Sequence, residues 1–172
     1  YTNPSHVDSS DVVHGIDVSK WQADIDFNAV RDAGCSFVLM RIGYGNDVVN
    51  SDQYYYTNIE NATNAGLDVG VYFYSTANNE ADVRFQADWI AEQLGGRPLQ
   101  FPVVFDWESF SNFQKYGMSL HDLNALYDAF ADQMAQHGYP CMLYSSKSRL
   151  GNIWRTENRS IWLAHYTDYT NY

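Results

Sequence analysis

The chain has 172 residues, of which 45% are hydrophobic and 16% aromatic, and this composition predicts one globular domain with a sizeable core. A formal net charge of −11 argues against nucleic acid as a partner, because no basic stretch is present to neutralise phosphates. No apolar run reaches the length of a membrane span, so no membrane partner is expected. Residues 1–12 are polar and lack periodicity, which predicts a linker or N-terminal tail before a folded domain at 13–172.

Short apolar runs alternate with amphipathic segments along this domain. The apolar runs predict strands at 14–19, 36–42, 68–75, 101–108, 140–145 and 160–166. The amphipathic segments predict helices at about 26–34, 54–65, 79–94 and 119–137, with a short fifth helix near 147–154. The fourth is the clearest, because an apolar stripe runs from Leu120 to Met134, Ser119 suits its N-cap and Gly138 suits its end.

The order of strand, helix, glycine stop and next strand is typical of βα units and a parallel sheet. No glycine-rich phosphate loop follows the first strand, which argues against a doubly wound nucleotide-binding fold. Polar and aromatic residues instead follow several strand ends, where a barrel of parallel strands collects its active-site residues. The pattern therefore favours an α/β fold of the TIM-like (β/α) barrel type. The strand-end residues are Asp17, Arg41, Tyr74, Asp106, Glu108, Tyr144 and Tyr166.

Two carboxylates end the apolar run at 103–108. Because side chains alternate along a strand, Asp106 and Glu108 point the same way, roughly 7 Å apart along the backbone. Two like charges at a strand end raise the pKa of one of them, and a protonated carboxyl beside an ionised one is what glycosidic bond cleavage requires. A helix-capping Asp followed by a surface Glu is the alternative interpretation of this pair alone.

The other strand-end residues also have ordinary structural interpretations. Asp17 suits a turn cap, and Arg41 suits a surface ion pair. Large aromatics at strand positions are individually more often core residues than ligand platforms, and this applies to Tyr72, Tyr74, Tyr144 and Trp162. Convergence of polar or aromatic residues from five strands on one rim favours a functional site.

Two cysteines, Cys35 and Cys141, are too few for a disulfide scaffold. Each begins a predicted strand, so we expect two buried free thiols, with a disulfide as the alternative. The five histidines are scattered through unrelated elements and match no metal-ligand spacing. Neither a metal site nor a cofactor is predicted.

Seven groups of residues, in register along the chain, resemble one known family, the glycoside hydrolase family 25 lysozymes, or Chalaropsis-type muramidases. They are HGIDVSKWQ at 14–22, FVLMRIGYG at 37–45, Asn58 with NATNAG at 61–66, VGVYFYS at 69–75, PVVFDWE at 102–108, GYP at 138–140 with LYSS at 143–146, and IWLAHY at 161–166. Each piece is weak alone, but the order of all seven is specific. The resemblance covers about residues 14–166.

This resemblance implies a modified barrel that hydrolyses the β-1,4 bond between N-acetylmuramic acid and N-acetylglucosamine in bacterial peptidoglycan. It implies Glu108 as the general acid, Asp106 as a residue that orients and stabilises the substrate's own acetamido group, and Asp17 as a further acidic residue of the site. On physical grounds we expect the acid to be the more enclosed carboxylate, held protonated beside an ionised neighbour. The expected substrate-binding residues are Arg41, Tyr72, Tyr74, Tyr144, Trp162 and Tyr166.

The family's barrel continues beyond the segment at 162–166, so the catalytic domain at 13–172 is expected to lack its last strands. A non-catalytic wall-binding domain and a chitin-type N-acetylglucosaminidase are the alternative functions. The acidic residues at positions 17, 106 and 108 favour the muramidase. We expect peptidoglycan as the partner, a monomer as the oligomeric state, and an extracellular or wall-associated location.

Overall fold

The structure, a computed structural model, describes residues 12–165. Seven strands and five helices follow one another in the described part. The strands are β1 (Gly15–Val18), β2 (Phe37–Gly45), β3 (Val49–Ser51), β4 (Asp68–Ser75), β5 (Val103–Trp107), β6 (Cys141–Ser146) and β7 (Ser160–Ala164). The helices are α1 (Phe27–Asp32), α2 (Tyr55–Asn64), α3 (Glu80–Leu94), α4 (Leu120–Gln136) and α5 (Lys147–Leu150).

Six of the strands form one parallel sheet in the order β1-β2-β4-β5-β6-β7. Because these six strands run parallel, their carboxyl ends all lie at one edge of the sheet. The predicted parallel α/β architecture is confirmed as a curled sheet, or half-barrel. Within residues 12–165, β1 pairs with β2 but not with β7, so the sheet does not close on itself in the described part.

Side chains along each strand point alternately to a face of the sheet that helices cover and to an inner face. On β2, the residues Val38, Met40 and Ile42 are almost fully buried, as are Phe73 on β4 and Phe105 on β5. The ring of Phe105 lies 4.9 Å from Phe130 of α4, and the ring of Phe73 lies 6.1 Å from Trp89 of α3. The main core therefore lies between sheet and helices, which leaves the strand ends available for polar groups.

Helix α4 shows how the sequence sets its own limits. The Ser119 hydroxyl accepts the Asp122 amide proton at 3.1 Å, and the Asp122 carboxylate accepts the Ser119 amide proton at 2.8 Å. This capping box satisfies amides that the first turn leaves without a partner. After the helix, Gly138 has φ +85°, a conformation that glycine adopts without strain. The predicted boundaries of α4 are confirmed within one residue.

The sequence missed one strand and overestimated the length of one helix. β3 was not predicted, because it has only three residues, of which Val49 alone is apolar, and it joins the sheet antiparallel to β2. The predicted helix near 147–154 has only the four residues of α5. Cys35 and Cys141 are both free thiols, as expected, but each is half-buried rather than buried. No helix of residues 12–165 has the length and apolar character needed to cross a bilayer.

Candidate active site

The carboxyl ends of the strands surround a cavity of about 300 Å³. Pairing between strands puts Tyr74, Asp106, Tyr144 and Trp162 at one level of the sheet, since each is the register partner of the next. Most of the predicted site residues meet in this cavity. Its lining consists of Asp17, Tyr72, Asp106, Glu108, Tyr144, Trp162, Leu163, Ala164 and His165.

The two carboxylates of the β5 end differ strongly in exposure. Asp106 belongs to β5 and is only 6% exposed, whereas Glu108 follows the strand and is exposed. Oδ1 of Asp106 is buried and has no hydrogen-bond partner among the described residues. The expectation that Glu108 is the more enclosed of the two was therefore wrong: β5 ends at Trp107, and Glu108 has already left the sheet.

Burial is the main reason that the pKa of Asp106 lies well above its ordinary value. The charge of Glu108 and a hydrogen bond between the two carboxyl groups raise this pKa further, and the positive charge of Arg41 opposes them. A proton is therefore retained on Asp106, where it lies between two carboxyl groups. In this state the pair carries one proton and one negative charge.

Asp17 on β1 contributes to the lining of the same cavity. Desolvation by the surrounding protein raises the pKa of Asp17, although its side chain still reaches solvent at the cavity mouth. Its charge in turn raises the pKa of Asp106. Three carboxyl groups therefore face a small space, and this concentrates negative charge where a cation or a positively charged reaction centre is stabilised.

Aromatic rings form the rest of the wall. The Trp162 ring lies edge-on to Tyr144, with centroids 4.8 Å apart, and to Tyr72 at 6.0 Å. Desolvation raises the pKa of Tyr72 to about 12, so this phenol keeps its proton and can donate a hydrogen bond. Tyr74 does not line the cavity. Burial is the main reason that the pKa of Tyr74 is raised, and the charge of Glu108 raises it further.

The structure places Arg41 behind the cavity wall rather than in it. Its Nε donates to Oδ2 of Asp52 at 2.8 Å, and its Nη2 lies 2.7 Å from the same oxygen. Asp52 was not predicted as a site residue. It stands in a polar stretch that reads as a loop, and no sequence signal shows that its side chain is fully buried.

His165 was also missed, because a single histidine after a strand carries no specific signal. Tyr166, predicted to bind substrate, lies outside the described residues. Among residues 12–165, no three His, Cys, Asp or Glu side chains are grouped so that they could hold a metal ion.

Two buried tryptophans support the ends of β5 and β6. The Trp107 indole N–H donates to the carbonyl of Ala77 at 2.7 Å, and the Trp154 indole N–H donates to the Ser145 hydroxyl at 3.1 Å. Both bonds are buried, where a donor left without an acceptor is costly. They fix the two strand ends that carry Asp106 and Tyr144.

The sequence matches a protein-family model over residues 16–172, and this model describes glycosyl hydrolases family 25. The chain belongs to this family. The match includes all the strands that contribute to the cavity. Only Gly15, the first residue of β1, lies outside it. The predicted family resemblance is thereby confirmed.

Individual relatives agree with this family assignment. Lysozyme M1 of Streptomyces globisporus is 34% identical over 128 residues, which are 68% of this chain and 42% of the relative. The chain spans about half the length of the curated relatives it matches, from 38% to 57%.

Solved structures show the same fold. A muramidase from Trichobolus zukalii superposes with a TM-score of 0.77 at 21% identity, covering 94% of this chain and 81% of that one. The modular autolysin LytC from Streptococcus pneumoniae, in complex with a synthetic peptidoglycan ligand, superposes with a TM-score of 0.76 at 23% identity. That match covers 91% of this chain and 38% of LytC. This chain thus shares its fold with both solved structures.

Proposed function

We propose that this protein is a lysozyme that hydrolyses the β-1,4 bond between N-acetylmuramic acid and N-acetylglucosamine in bacterial peptidoglycan. The observation that carries the proposal is the pair of carboxyl groups at the end of β5, one buried and one exposed, that face one aromatic-lined cavity. Family membership, the lysozyme relatives and the peptidoglycan complex of LytC support the choice of substrate.

Glu108 is proposed as the group that protonates the leaving oxygen, because it is the exposed member of the pair and can touch a sugar in the cavity. Asp106 is proposed to hold the proton in the free enzyme and to pass it to Glu108 through their hydrogen bond. Glu108 then gives a proton to the glycosidic oxygen as the bond to the anomeric carbon breaks. Asp106 is left ionised, so the single proton is accounted for.

Positive charge develops at the sugar ring when this bond breaks. Ionised Asp106 and Asp17 face the ring from two strands and stabilise that charge electrostatically. Ionised Asp106 is also suited to accept the N–H of the substrate's acetamido group, since its Oδ1 has no protein partner within residues 12–165. This arrangement favours participation of the acetamido group over attack by a second protein carboxylate.

Tyr72, Tyr144 and Trp162 are proposed to bind the sugar rings. Their rings give apolar faces to pyranose C–H groups, and the Tyr72 hydroxyl remains protonated at neutral pH. Arg41, placed behind the wall, is proposed to act through its charge rather than by contact. Roles in binding for Tyr74 and Tyr166 stay predictions.

Several broader expectations remain proposals. We propose that the half-barrel is part of a modified TIM-like (β/α) barrel whose catalytic domain occupies 13–172, since its site lies at the carboxyl ends of the strands. The protein is proposed to act as a monomer outside the cell or at the wall, where its polymeric substrate lies.

The test is the clearing of purified bacterial cell walls by the 172-residue chain, followed as a fall in turbidity. We expect clearing by the wild-type chain and little clearing by the Glu108→Gln variant, with wall binding retained in both. Binding without clearing by the wild-type chain would favour the non-catalytic alternative. Clearing of chitin but not of peptidoglycan would favour the N-acetylglucosaminidase.

A further inference from the structure

A second buried carboxylate lies close to the site but outside its cavity. The side chain of Asp52 is fully buried, and its Oδ2 accepts hydrogen bonds from the Lys20 amide at 3.0 Å and from Arg41 Nε at 2.8 Å. Its Oδ1 accepts the Tyr54 amide proton at 3.0 Å. With the ion pair to Arg41 Nη2 at 2.7 Å, the carboxylate is fully engaged.

The partners of Asp52 come from three elements around the cavity. Lys20 begins the 3₁₀ turn that follows β1, three residues after Asp17. Arg41 belongs to β2, the strand between those that carry Asp17 and Tyr72. Tyr54 caps the start of α2. A surface ion pair has no such set of partners, so the position of Arg41 is determined by a buried group rather than by solvent.

The direct contacts of Arg41 explain why Oδ1 of Asp106 has no hydrogen-bond partner within residues 12–165 although the charge of Arg41 acts on Asp106. Burial raises the pKa of both Asp106 and Tyr72, and the positive charge of Arg41 opposes that rise. Even so, its guanidinium is bound to Asp52, through a hydrogen bond from Nε and an ion pair from Nη2. Among the described residues, neither Nη2 of Arg41 nor Oδ1 of Asp106 has a hydrogen-bond partner. An arginine in direct contact with a carboxyl group holds it ionised and lowers its pKa by about 1–3 units.

We propose that Asp52 is a positioning residue that engages the Arg41 guanidinium and keeps it from pairing directly with Asp106. The Asp106–Glu108 pair thereby retains the proton that it needs for catalysis. The consequence for activity rests on the proposed lysozyme function, whereas the effect on Asp106 itself does not. Asp52 is a carboxylate that controls the protonation of another carboxyl group through an intervening cation.

Other charged or titratable groups near Asp106 stay unchanged in the Asp52→Asn variant. They lie on β1, β2, β4 and β6 and at the residues that follow β5 and β7. Arg41 is one of them, and the others are Asp17, Tyr72, Tyr74, Glu108, Tyr144 and His165.

The test compares three variants of the full 172-residue chain: Asp52→Asn, Arg41→Gln and the two together. Asp52→Asn removes a negative charge and frees Arg41 to pair with Asp106. Both effects lower the pKa of Asp106, so the alkaline limb of the pH–rate profile should move to lower pH by about one unit. Arg41→Gln removes the opposing cation and should move the limb to higher pH.

The double variant removes the ion pair as a neutral unit, so its alkaline limb should lie within about half a pH unit of the wild-type limb. It should also be more stable than either single variant, since no unpaired buried charge remains. If the single variants do not fold, the double variant still decides, because a larger displacement of its limb would overturn the proposal. Asp88→Asn, which removes a surface carboxylate bound to His137 and Gln133, is the control of equal charge and should leave the limb in place.

A titration of the Asp106 carboxyl by NMR separates this inference from the proposed function. The same shifts in its pKa are expected even if the chain clears no cell walls. Coincident titration curves for wild-type and Asp52→Asn, or a shift to higher pH, would overturn the role assigned to Asp52. Loss of rate and melting temperature without any change in titration would indicate a merely structural residue and would also overturn it.

Discussion

Replacing Asp106 with asparagine should impair the enzyme and stabilise the fold at neutral pH. In the unfolded chain this carboxyl ionises near pH 3.8, and in the folded protein burial raises its pKa well above that value. Between these two pKa values the folded state holds a proton that the unfolded state has released. The wild-type protein therefore loses stability as pH rises through this range. Asparagine is neutral at every pH, and its amide can still donate to Glu108.

Linkage sets an upper bound on the effect. Each pH unit over which the folded state keeps a proton that the unfolded state has lost changes the free energy of unfolding by about 1.4 kcal/mol. The unfolded value is 3.8, so at pH 7 the gain from Asp106→Asn is at most about 4 kcal/mol. The melting temperature should rise by roughly 2–4 °C for each kcal/mol gained in a chain of this size, and the gain should grow from pH 4 to pH 7. At pH 4 the two proteins should melt within about a degree of one another.

The assay is thermal unfolding followed by circular dichroism at pH 4, 5, 6 and 7. Asp88→Asn is a control of opposite sign: hydrogen bonds from His137 and Gln133 lower the pKa of Asp88, so its removal should cost stability at neutral pH and not at low pH. A difference between Asp106→Asn and wild-type that is constant with pH, or a wild-type protein that is more stable at pH 7, would refute the reasoning.

Three further predictions concern single residues. Glu108→Gln should lower the rate of wall clearing by about a hundredfold or more. Glu92→Gln, which changes an exposed residue of α3, should leave the rate unchanged. Equal rates for both variants would remove Glu108 from the mechanism. Trp162→Ala should weaken binding of a peptidoglycan fragment about tenfold or more in calorimetry. Trp162→Phe should retain part of the affinity that Trp162→Ala loses. Undiminished binding by Trp162→Ala would place the sugar elsewhere. Cys141 is half-buried as a residue, but desolvation of its thiol raises the pKa of that group to about 12. It should therefore react with iodoacetamide at pH 8 far more slowly in the folded protein than in urea, and equal rates would contradict the raised pKa.

The sequence predicted the parallel strands well, because each is a run of apolar residues bounded by a glycine or a polar turn. It predicted α4 to within a residue, since apolar periodicity and both ends of the helix agree. It did not predict β3, whose three residues (Val49, Asn50 and Ser51) gain their strand conformation from pairing with β2. Such pairing is a tertiary effect without a local pattern.

The sequence was enough to predict which residues lie together at the candidate site. It was not enough to predict which of its carboxyl groups is buried. Strand alternation and strand ends were enough to bring Asp17, Asp106 and Tyr144 together. The difference in burial between Asp106 and Glu108 depends on the residue at which β5 ends, and sequence patterns define such boundaries poorly. Asp52 was missed for a related reason: burial of its carboxylate requires donors from Lys20 and Arg41, which only the folded chain brings to it.

The most direct test of the central claim is to identify the sugar at the new reducing end after digestion. Purified peptidoglycan would be incubated with the 172-residue chain, the products reduced with borohydride, and the fragments sequenced by tandem mass spectrometry. A lysozyme that uses the Asp106–Glu108 pair as described should release fragments that end in reduced N-acetylmuramic acid, and Glu108→Gln should release almost none. Fragments that end in reduced N-acetylglucosamine, or no fragments from the wild-type chain, would contradict the account.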